Sequence, residues 1–223
     1  MIGCFVTGTD TGVGKTLAAA GLLHALRRTH ARVVGMKPVA AGAIQAGGFS
    51  VSEDALALRA ASSLAVPPEL DNPVLLPEAM SPHLAAARAG VQIDIGEIVR
   101  RYRILAQRAD AVVVEGAGGF HVPLGEQETG ADLAQALALP VVLVVGLRLG
   151  CLNHALLTAE AVRARGLLLA GWIANRIDPH MQATDENVAY LHRRLQAPLL
   201  ADIAYSPSPD APRIAIELPA GWN

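Results

Sequence analysis

The sequence predicts an α/β fold in which a doubly wound, mainly parallel sheet is flanked by helices. Short apolar runs alternate along the chain with segments whose apolar residues repeat at helical spacing, which is the pattern of strand–helix–strand units. The first apolar run, residues 2–6, leads into a glycine-rich segment and then into a helical pattern. Hydrophobic residues make up 52% of the chain and charged residues 17%, so the chain can bury the core that such a fold requires.

Length and composition limit the number of domains and the classes of partner that the protein could bind. A length of 223 residues predicts a single domain over residues 1–223. The formal net charge is −2, aromatic residues make up 4% and basic residues form no block, so no nucleic-acid surface is predicted. The apolar runs are too short to cross a bilayer, and a strand starting at residue 2 leaves no room for a signal peptide. Cys4 and Cys151 show neither metal nor disulfide spacing. We therefore expect a cytoplasmic protein without a membrane partner.

The segment from Gly8 to Thr16 is predicted to bind phosphate. Its glycines allow backbone N–H groups to turn towards an anion, and the helix that follows presents the positive end of its dipole. Lys15 supplies a cation for the β- and γ-phosphates, and the Thr16 hydroxyl can ligate Mg²⁺. The usual motif has a glycine where this chain has Thr9, so the loop is a variant P-loop, and the fold is predicted to be of the P-loop NTPase type. The alternative is a glycine-rich strand–helix turn without a ligand.

Lys37 is predicted to lie where a substrate would meet it. A helix over residues 17–28 and a strand over residues 32–36 precede this lysine. Ligands of open α/β sheets sit outside the carboxyl ends of the strands, and the alternative is a solvated loop charge. Residues 39–49 are small and glycine-rich and are predicted to form a loop.

Asp54 has two interpretations. Ser50 and Glu53 form a predicted capping box for a helix that extends through residue 61, which places Asp54 in the first turn. A carboxylate there complements the helix dipole, so a capping role and a ligand role both remain open. Residues 66–82 contain five prolines and are predicted to be an irregular connection.

Glu115 is the second carboxylate predicted to serve the site. It ends a β-branched run, residues 111–114, and is followed by the glycine-rich segment 116–119. An acidic residue at the end of a buried parallel strand beside a phosphate loop can bind Mg²⁺ directly or through water. The alternative is a carboxylate that caps the loop.

Asn153 is predicted to cap a helix that runs to residue 165. The N–H groups of such a helix could hold a carboxylate, and an ordinary capped helix explains the same residues equally well. The pattern predicts further helices and strands on both sides of this segment. The helices cover residues 82–89, 95–105, 132–139 and 184–195, and the strands cover residues 141–145, 168–174 and 199–203.

Seven groups of residues together resemble the dethiobiotin synthetase family, and they span nearly the whole chain. They are residues 6–11 with 14–16, 37–39, 54–56, 81–83, 114–119, 150–154 and 170–175. The resemblance implies an ATP-dependent reaction in which 7,8-diaminopelargonic acid and CO₂ give dethiobiotin, ADP and phosphate. One substrate amine takes up CO₂ as a carbamate, the carbamate oxygen attacks the γ-phosphorus, and the second amine closes the cyclic urea.

The resemblance also implies which residues form the site. The residues implied in catalysis are Thr11, Lys15 and Lys37. The implied Mg²⁺ ligands are Thr16, Asp54 and Glu115. The implied nucleotide contacts are Asp10, Thr11, Gly12, Val13, Gly14, Lys15, Thr16, Leu17, Glu115, Gly118 and Asn175, the last at the adenine edge. The implied substrate contacts are Thr11, Lys37, Ala41, Gly118, Gly150, Cys151, Leu152 and Asn153.

A homodimer follows from the same resemblance, because in the family the helix after residue 150 receives the carboxylate of a substrate bound mainly by the other subunit.

Two positions depart from the family: Ala41 replaces a common hydroxyl residue, and Gly12 replaces a common acidic residue. Losing a hydroxyl removes at most one hydrogen bond, about 0.5–1.5 kcal/mol, so we expect a change in affinity but not in reaction. The alternative function is a switch ATPase of the partition or cell-division positioning class. Such switches have a lysine early in the loop, and residues 9–13 contain none.

Overall fold

The structure is a computed structural model that describes residues 1–222. Its strands are β1 (Ile2–Gly8), β2 (Val33–Met36), β3 (Val39–Ala41), β4 (Ile44–Ala46), β5 (Phe49–Val51), β6 (Val74–Leu76), β7 (Ala111–Gly119), β8 (Val141–Gly146), β9 (Leu169–Asn175) and β10 (Leu199–Ile203). Six of them form the main sheet in the order β10–β9–β8–β1–β7–β2, and every neighbouring pair is parallel. The predicted parallel sheet is confirmed.

Helices cover both faces of this sheet. They are α1 (Lys15–Leu26), α2 (Glu53–Ala61), α3 (Pro68–Asp71), α4 (Pro82–Ala89), α5 (Ile95–Arg108), α6 (Gly130–Leu137), α7 (Cys151–Ala164) and α8 (Thr184–Leu195). Side chains of α1 and α2 pack in one buried cluster, and side chains of α4 to α8 pack in the other. Within β1, Phe5 belongs to one cluster, while Cys4 and Val6 belong to the other, as the alternation of side chains along a strand requires. The sheet is therefore doubly wound.

The strand order brings five loops to one edge of the sheet. Strand β1 lies between β7 and β8. From β1 the chain runs through α1 to β2 on the β7 side, and from β7 it runs through α6 to β8 on the other side of β1. In parallel sheets the carboxyl ends of all strands share an edge, and ligands bind where the winding reverses. The loop after β1 lies at this reversal. The segments after β2, β7, β8 and β9 end beside it.

Two segments predicted to be irregular contain regular structure. Residues 39–49 include β3 and most of a hairpin, in which β4 and β5 pair antiparallel across Gly47 and Gly48. Both glycines have positive φ, 60° and 82°, as a two-residue hairpin turn requires. Residues 66–82 include α3 and β6, and β6 pairs in parallel with β3. Three-residue strands are too short to show a periodicity, so the loop prediction failed there.

Four predicted helix starts were wrong by two or three residues. Helix α1 begins at Lys15, two residues before the predicted start. Helix α2 is capped by Ser52, whose side chain accepts the N–H of Ala55, and not by Ser50. Helix α6 begins at Gly130, because Thr129 is the cap and Asp132 closes the capping box from inside the helix. Helix α7 has Gly150 as its N-cap with φ 95°, so Asn153 lies within the first turn. A glycine cap leaves no side-chain signal in the sequence.

No helix within residues 1–222 is long and apolar enough to span a bilayer.

Leu58 is the position in α2 where a core substitution should cost most. Its side chain is buried between α1 and the sheet, whereas Leu56 on the same helix is exposed. We expect Leu58→Ala to lower the free energy of unfolding by about 2–5 kcal/mol, because it leaves a cavity. The matched variant Leu56→Ala should change the free energy by less than about 0.5 kcal/mol. Urea unfolding followed by circular dichroism measures both, and equal effects would show that α2 does not pack as described.

Candidate active site

A cavity opens at the edge of the sheet where the winding reverses. Its volume is about 670 Å³, which is within the range of small-molecule sites. The phosphate loop and the end of β7 form one wall, and β3 and the segment before α4 form the other. The lining residues are Thr11, Gly12, Gly14, Lys15, Thr16, Lys37, Val39, Ala40, Ala41, Asp54, Ala79, Met80, Ser81, Pro82, Glu115, Ala117, Gly118 and Val122.

The loop after β1 has the backbone of an anion-binding turn. Gly12 and Gly14 have φ of 74° and 87°, values that residues with a side chain rarely adopt. A Cβ added at Gly14 would lie 2.1 Å from Nδ2 of Asn175, whereas a Cβ at Gly12 would meet no atom within 4 Å. The Asn175 amide donates to the Val13 carbonyl at 2.9 Å. Close packing therefore requires a glycine at position 14, and at position 12 only the backbone conformation favours one.

Lys15 is held by the loop itself. It is the first residue of α1, its side chain is buried, and Nζ donates to the Asp10 carbonyl at 2.9 Å. Burial and the nearby charge of Lys37 together lower the pKa of Lys15 to about 8. No carboxylate within the described residues pairs with Lys15. An anionic ligand in the loop would supply the missing negative charge.

Lys37 lies in a buried ionic cluster with two carboxylates. Its Nζ is 2.7 Å from Glu115 Oε1 and 2.8 Å from Asp54 Oδ2. Burial acts to lower the pKa of Lys37, but the two carboxylates outweigh it, so the pKa lies above its ordinary value. The same lysine holds the pKa of Asp54 below its ordinary value against the opposing effect of burial. The solvated-charge interpretation of Lys37 is therefore wrong, because the lysine is buried and stays protonated.

Thr16 connects the phosphate loop to this cluster. Its Oγ1 is 2.8 Å from Asp54 Oδ1 and 2.9 Å from Glu115 Oε1. A hydroxyl has one proton, so it cannot donate fully to both carboxylates. Burial raises the pKa of Glu115, which is 1% exposed, and its second oxygen, Oε2, has no hydrogen-bond partner. A buried carboxylate oxygen without a partner is costly, which indicates that a cation or ordered water completes the cluster.

The donor set fits Mg²⁺. Thr16, Asp54 and Glu115 offer only hard oxygen ligands, and Mg²⁺ in nucleotide sites takes few protein ligands and keeps waters and phosphate oxygens. Within residues 1–222, no three histidine, cysteine or acidic side chains are grouped to hold a metal by themselves. The arrangement therefore suits a metal held jointly with a phosphate, not one in an all-protein cage.

Comparison with known proteins identifies the family. The family model described as AAA domain matches residues 3–213. The ATP-dependent dethiobiotin synthetase BioD of Aromatoleum aromaticum is 54% identical over 216 residues, which cover 96% of this chain and 95% of that protein. The chain belongs to the dethiobiotin synthetase family. The resemblance of the sequence motifs to this family is thus confirmed.

Solved structures related to this dethiobiotin synthetase family member show its fold. The cell division protein FtsY of Thermotoga maritima superposes with a TM-score of 0.57 at 17% identity over 99% of this chain and 66% of that one. The ParA family ATPase of Chlorobium tepidum gives 0.55 at 16% identity, over 92% and 85%. MinD of Pyrococcus horikoshii, solved with Mg-ADP, gives 0.54 at 18%, over 92% and 82%. The fold is that of P-loop NTPases, as predicted.

Thr11, Ala41 and Gly118 lie in the same cavity as the two lysines of this family member. A Cβ added at Gly118 would lie 3.5 Å from Thr11 Oγ1 and 3.2 Å from Val122 Cγ2, so a side chain would fit tightly there, and the positive φ of 55° also favours glycine. Ala41 lies on the opposite wall with Ala79 and Met80. That wall offers aliphatic side chains and no hydroxyl from position 41.

Other residues assigned by resemblance lie outside the cavity. Leu17 is half-buried against the cluster of α1 and α2, and Asn175 lies beneath Gly14. None of the residues from Gly150 to Asn153 lines the cavity of their own chain. Cys151 is buried, Leu152 is half-buried and Asn153 is exposed. The start of α7 therefore does not contribute to the cavity of its own subunit.

Two contacts of the site in this synthetase were missed by the sequence analysis. Val122 follows the glycine-rich end of β7 and covers Gly118. Arg148 follows β8, and its Nη2 lies 2.5 Å from Asp10 Oδ2. The rule that ligands meet the carboxyl ends of parallel strands indicated the position of Arg148, but nothing in the sequence identified its partner.

Gly14→Ala should weaken nucleotide binding far more than Gly12→Ala. Both variants place a side chain at positive φ, which costs about 1–3 kcal/mol, but only the first also collides with Asn175. We expect Gly14→Ala to lower ADP affinity by about two orders of magnitude and Gly12→Ala by about tenfold or less. Isothermal titration measures both constants, and thermal unfolding checks that the variants fold. Equal losses would mean that the contact with Asn175 is unimportant.

Proposed function

We propose that this protein is an ATP-dependent dethiobiotin synthetase, which converts 7,8-diaminopelargonic acid, CO₂ and ATP into dethiobiotin, ADP and phosphate. One observation carries the proposal: the only two lysines of the chain, Lys15 and Lys37, line one cavity with Thr16, Asp54 and Glu115. The 54% identity to a dethiobiotin synthetase over almost the whole chain supports the same reaction. ATP and CO₂ are available in the cytoplasm, where we expect the enzyme to act.

The reaction joins two anions, so its barrier falls when positive charge surrounds the transferred phosphoryl group. One substrate amine attacks CO₂ and loses a proton, which gives a carbamate. A carbamate oxygen then attacks the γ-phosphorus, ADP leaves, and a carbamic-phosphoric anhydride forms. The second amine attacks its carbonyl carbon and releases phosphate, which closes the cyclic urea. In this proposal Lys15 neutralises the β- and γ-phosphates, and Lys37 neutralises the carbamate and the γ-phosphate.

Thr16, Asp54 and Glu115 would hold Mg²⁺, which supplies charge neutralisation at the phosphate oxygens. In this arrangement the buried Oε2 of Glu115 gains the partner that it lacks. Thr11, Gly118 and Ala41 would surround the diamine, and the aliphatic wall around Met80 suits its hydrocarbon chain. Asn175 would contact the adenine through its side-chain carbonyl oxygen, because its side-chain NH₂ group donates to the Val13 carbonyl.

The main experiment measures product formation. Purified protein with ATP, Mg²⁺, bicarbonate and the diamine should form dethiobiotin, detected by mass spectrometry, with one phosphate released per product. Omission of the diamine should abolish phosphate release. Phosphate release that is indifferent to the diamine, without dethiobiotin, would contradict this function and would favour a switch ATPase.

The site is further proposed to be shared between two subunits of a homodimer. Leu149, which precedes the N-cap Gly150 of α7, is 94% exposed, and Leu157 on the helix is also exposed. A second subunit on this side of α7 would cover both leucines. The free N–H groups at the start of α7 would receive the carboxylate of a diamine bound by the other subunit. The substrate contacts assigned to Gly150, Cys151, Leu152 and Asn153 would then come from that second subunit.

Subunit mixing tests the shared site. Lys15→Met should inactivate the nucleotide half, and Asn153→Trp should block the carboxylate half. Mixed subunits should recover roughly one quarter of the wild-type activity, since half of the dimers are mixed and each has one intact site. No recovery, or a monomer that stays active at every dilution, would overturn the shared site and leave the reaction itself untouched.

A further inference from the structure

We propose that Arg148 is a positioning residue that couples nucleotide binding in one subunit to diamine binding by the next, an inference that rests on the proposed shared site. Arg148 lies between the two halves of that site. Its side chain contacts the phosphate loop, and its main chain forms the turn that starts α7. Arg148 itself is not among the residues assigned to the substrates, but it contacts Asp10, which is assigned to the nucleotide, and Cys151, which is assigned to the diamine.

At the phosphate loop, Arg148 holds Asp10. The ion pair has Nη2 2.5 Å from Oδ2, and both side chains are 45% exposed. The other oxygen of Asp10 accepts the N–H of Thr11 at 2.7 Å, and its carbonyl accepts Nζ of Lys15 at 2.9 Å. Asp10 therefore orients two groups that face the phosphates, and Arg148 fixes Asp10.

At the other end, Arg148 begins the turn into α7. Its carbonyl accepts the N–H of Cys151 at 3.0 Å, and Gly150 closes the turn with φ 95°. The preceding residue, Leu147, is buried and donates its N–H to the carbonyl of Asn175 at 2.7 Å. The turn is therefore fixed on its buried side by the hydrogen bond of Leu147 to Asn175. On its exposed side, the ion pair of Arg148 with Asp10 links it to the phosphate loop.

The coupling follows from this arrangement. A nucleotide in the loop fixes Asp10, and Asp10 then restricts Arg148 and the turn that presents the first N–H groups of α7. Those N–H groups are the ones offered to the carboxylate of the neighbouring diamine. Arg148 also neutralises an Asp10 carboxylate that would otherwise repel the phosphates. Because coupling between two binding sites is reciprocal, the diamine should strengthen nucleotide binding by the same factor.

The experiment compares diamine dissociation constants with and without a non-hydrolysable ATP analogue and Mg²⁺, by isothermal titration of the dimer. We expect the analogue to tighten diamine binding about two- to fivefold in the wild type, the size of effect that exposed ion pairs have. Arg148→Met should reduce this ratio to about one, and Arg148→Lys should restore part of it. Arg100→Met removes another exposed ion pair, with Glu97 on α5, and should leave the ratio unchanged.

A second variant separates the ion pair from the loop turn. Asp10→Asn keeps an oxygen that can accept the N–H of Thr11 but loses the charge that pairs with Arg148. It should lower the ratio as Arg148→Met does, and the double variant should lower it no further. An unchanged ratio in Arg148→Met, a wild-type ratio of one, or additive losses would each overturn the inference. Dethiobiotin formation by the wild type is measured separately, so failure of the proposed function is recognised independently.

Discussion

Lys37→Met is expected to lower kcat for dethiobiotin formation by about 100- to 1,000-fold, the usual loss when one charged contact to a developing anion is removed. Lys37 is buried and its two carboxylates keep it protonated, so its charge is available throughout the neutral range. Methionine has a similar length without the charge. The measurement is product formation at saturating ATP and diamine, with Lys37→Arg as the variant that keeps a charge in a different shape. Turnover close to wild type in Lys37→Met would remove this lysine from the reaction.

The same variant should also lose stability. Without Lys37, the buried Glu115 and the part-exposed Asp54 lose the ammonium group that lies within 2.8 Å of both carboxylates. Breaking a buried ion pair on one side costs about 3–5 kcal/mol, which is less than the total stability of most folded domains. We therefore expect a folded protein whose free energy of unfolding is reduced in EDTA and partly restored by Mg²⁺. Chemical unfolding under both conditions measures this difference, and equal stability in the two would contradict a metal at these carboxylates.

Lys15→Met is expected to lower turnover by a similar factor, about 100- to 1,000-fold. Unlike Lys37→Met, it should not lower the free energy of unfolding. Lys15 is buried without a carboxylate partner, and burial together with the nearby Lys37 charge lowers its pKa to about 8. Burying this charge costs free energy in the folded state, so the variant without it should be as stable as the wild type or more stable. A loss of stability comparable to that of Lys37→Met would show that Lys15 has an anionic partner in the free protein.

The pH dependence of ADP binding follows from Lys15. Binding needs the charged amine, so above pH 8 the neutral amine of the free protein must take up a proton when ADP binds. ADP affinity measured without metal should therefore fall as the pH rises from 8 to 9.5 in the wild type. Lys15→Met should bind ADP weakly and show no such decline, which makes it the control. An equal decline in both proteins would assign the titration to another group.

The long elements followed from the sequence because they carry strong local patterns. The helix over Thr184–Leu195 and the strand over Leu199–Ile203 were predicted to the residue. The short pieces between β2 and α4 were not, because three-residue strands gain their stability from each other and not from their own residues. Asn153 was taken as a cap because its side chain suits one, whereas the structure uses Gly150, which caps through its backbone conformation. Local sequence preference decides the long helices and strands, whereas tertiary context decides the three-residue strands and the cap of α7.

By itself the sequence determined the phosphate loop, the alternation of strands and helices, and the family, since each depends on residues that are close together or on motifs in a fixed order. Only the tertiary structure decided that Lys37 bridges Asp54 and Glu115, that Thr16 touches both carboxylates, and that Arg148 reaches Asp10. These contacts join segments that are far apart in the chain. They depend on β1 lying between β7 and β8, and strand order is set by the packing of the whole sheet, which no local pattern encodes.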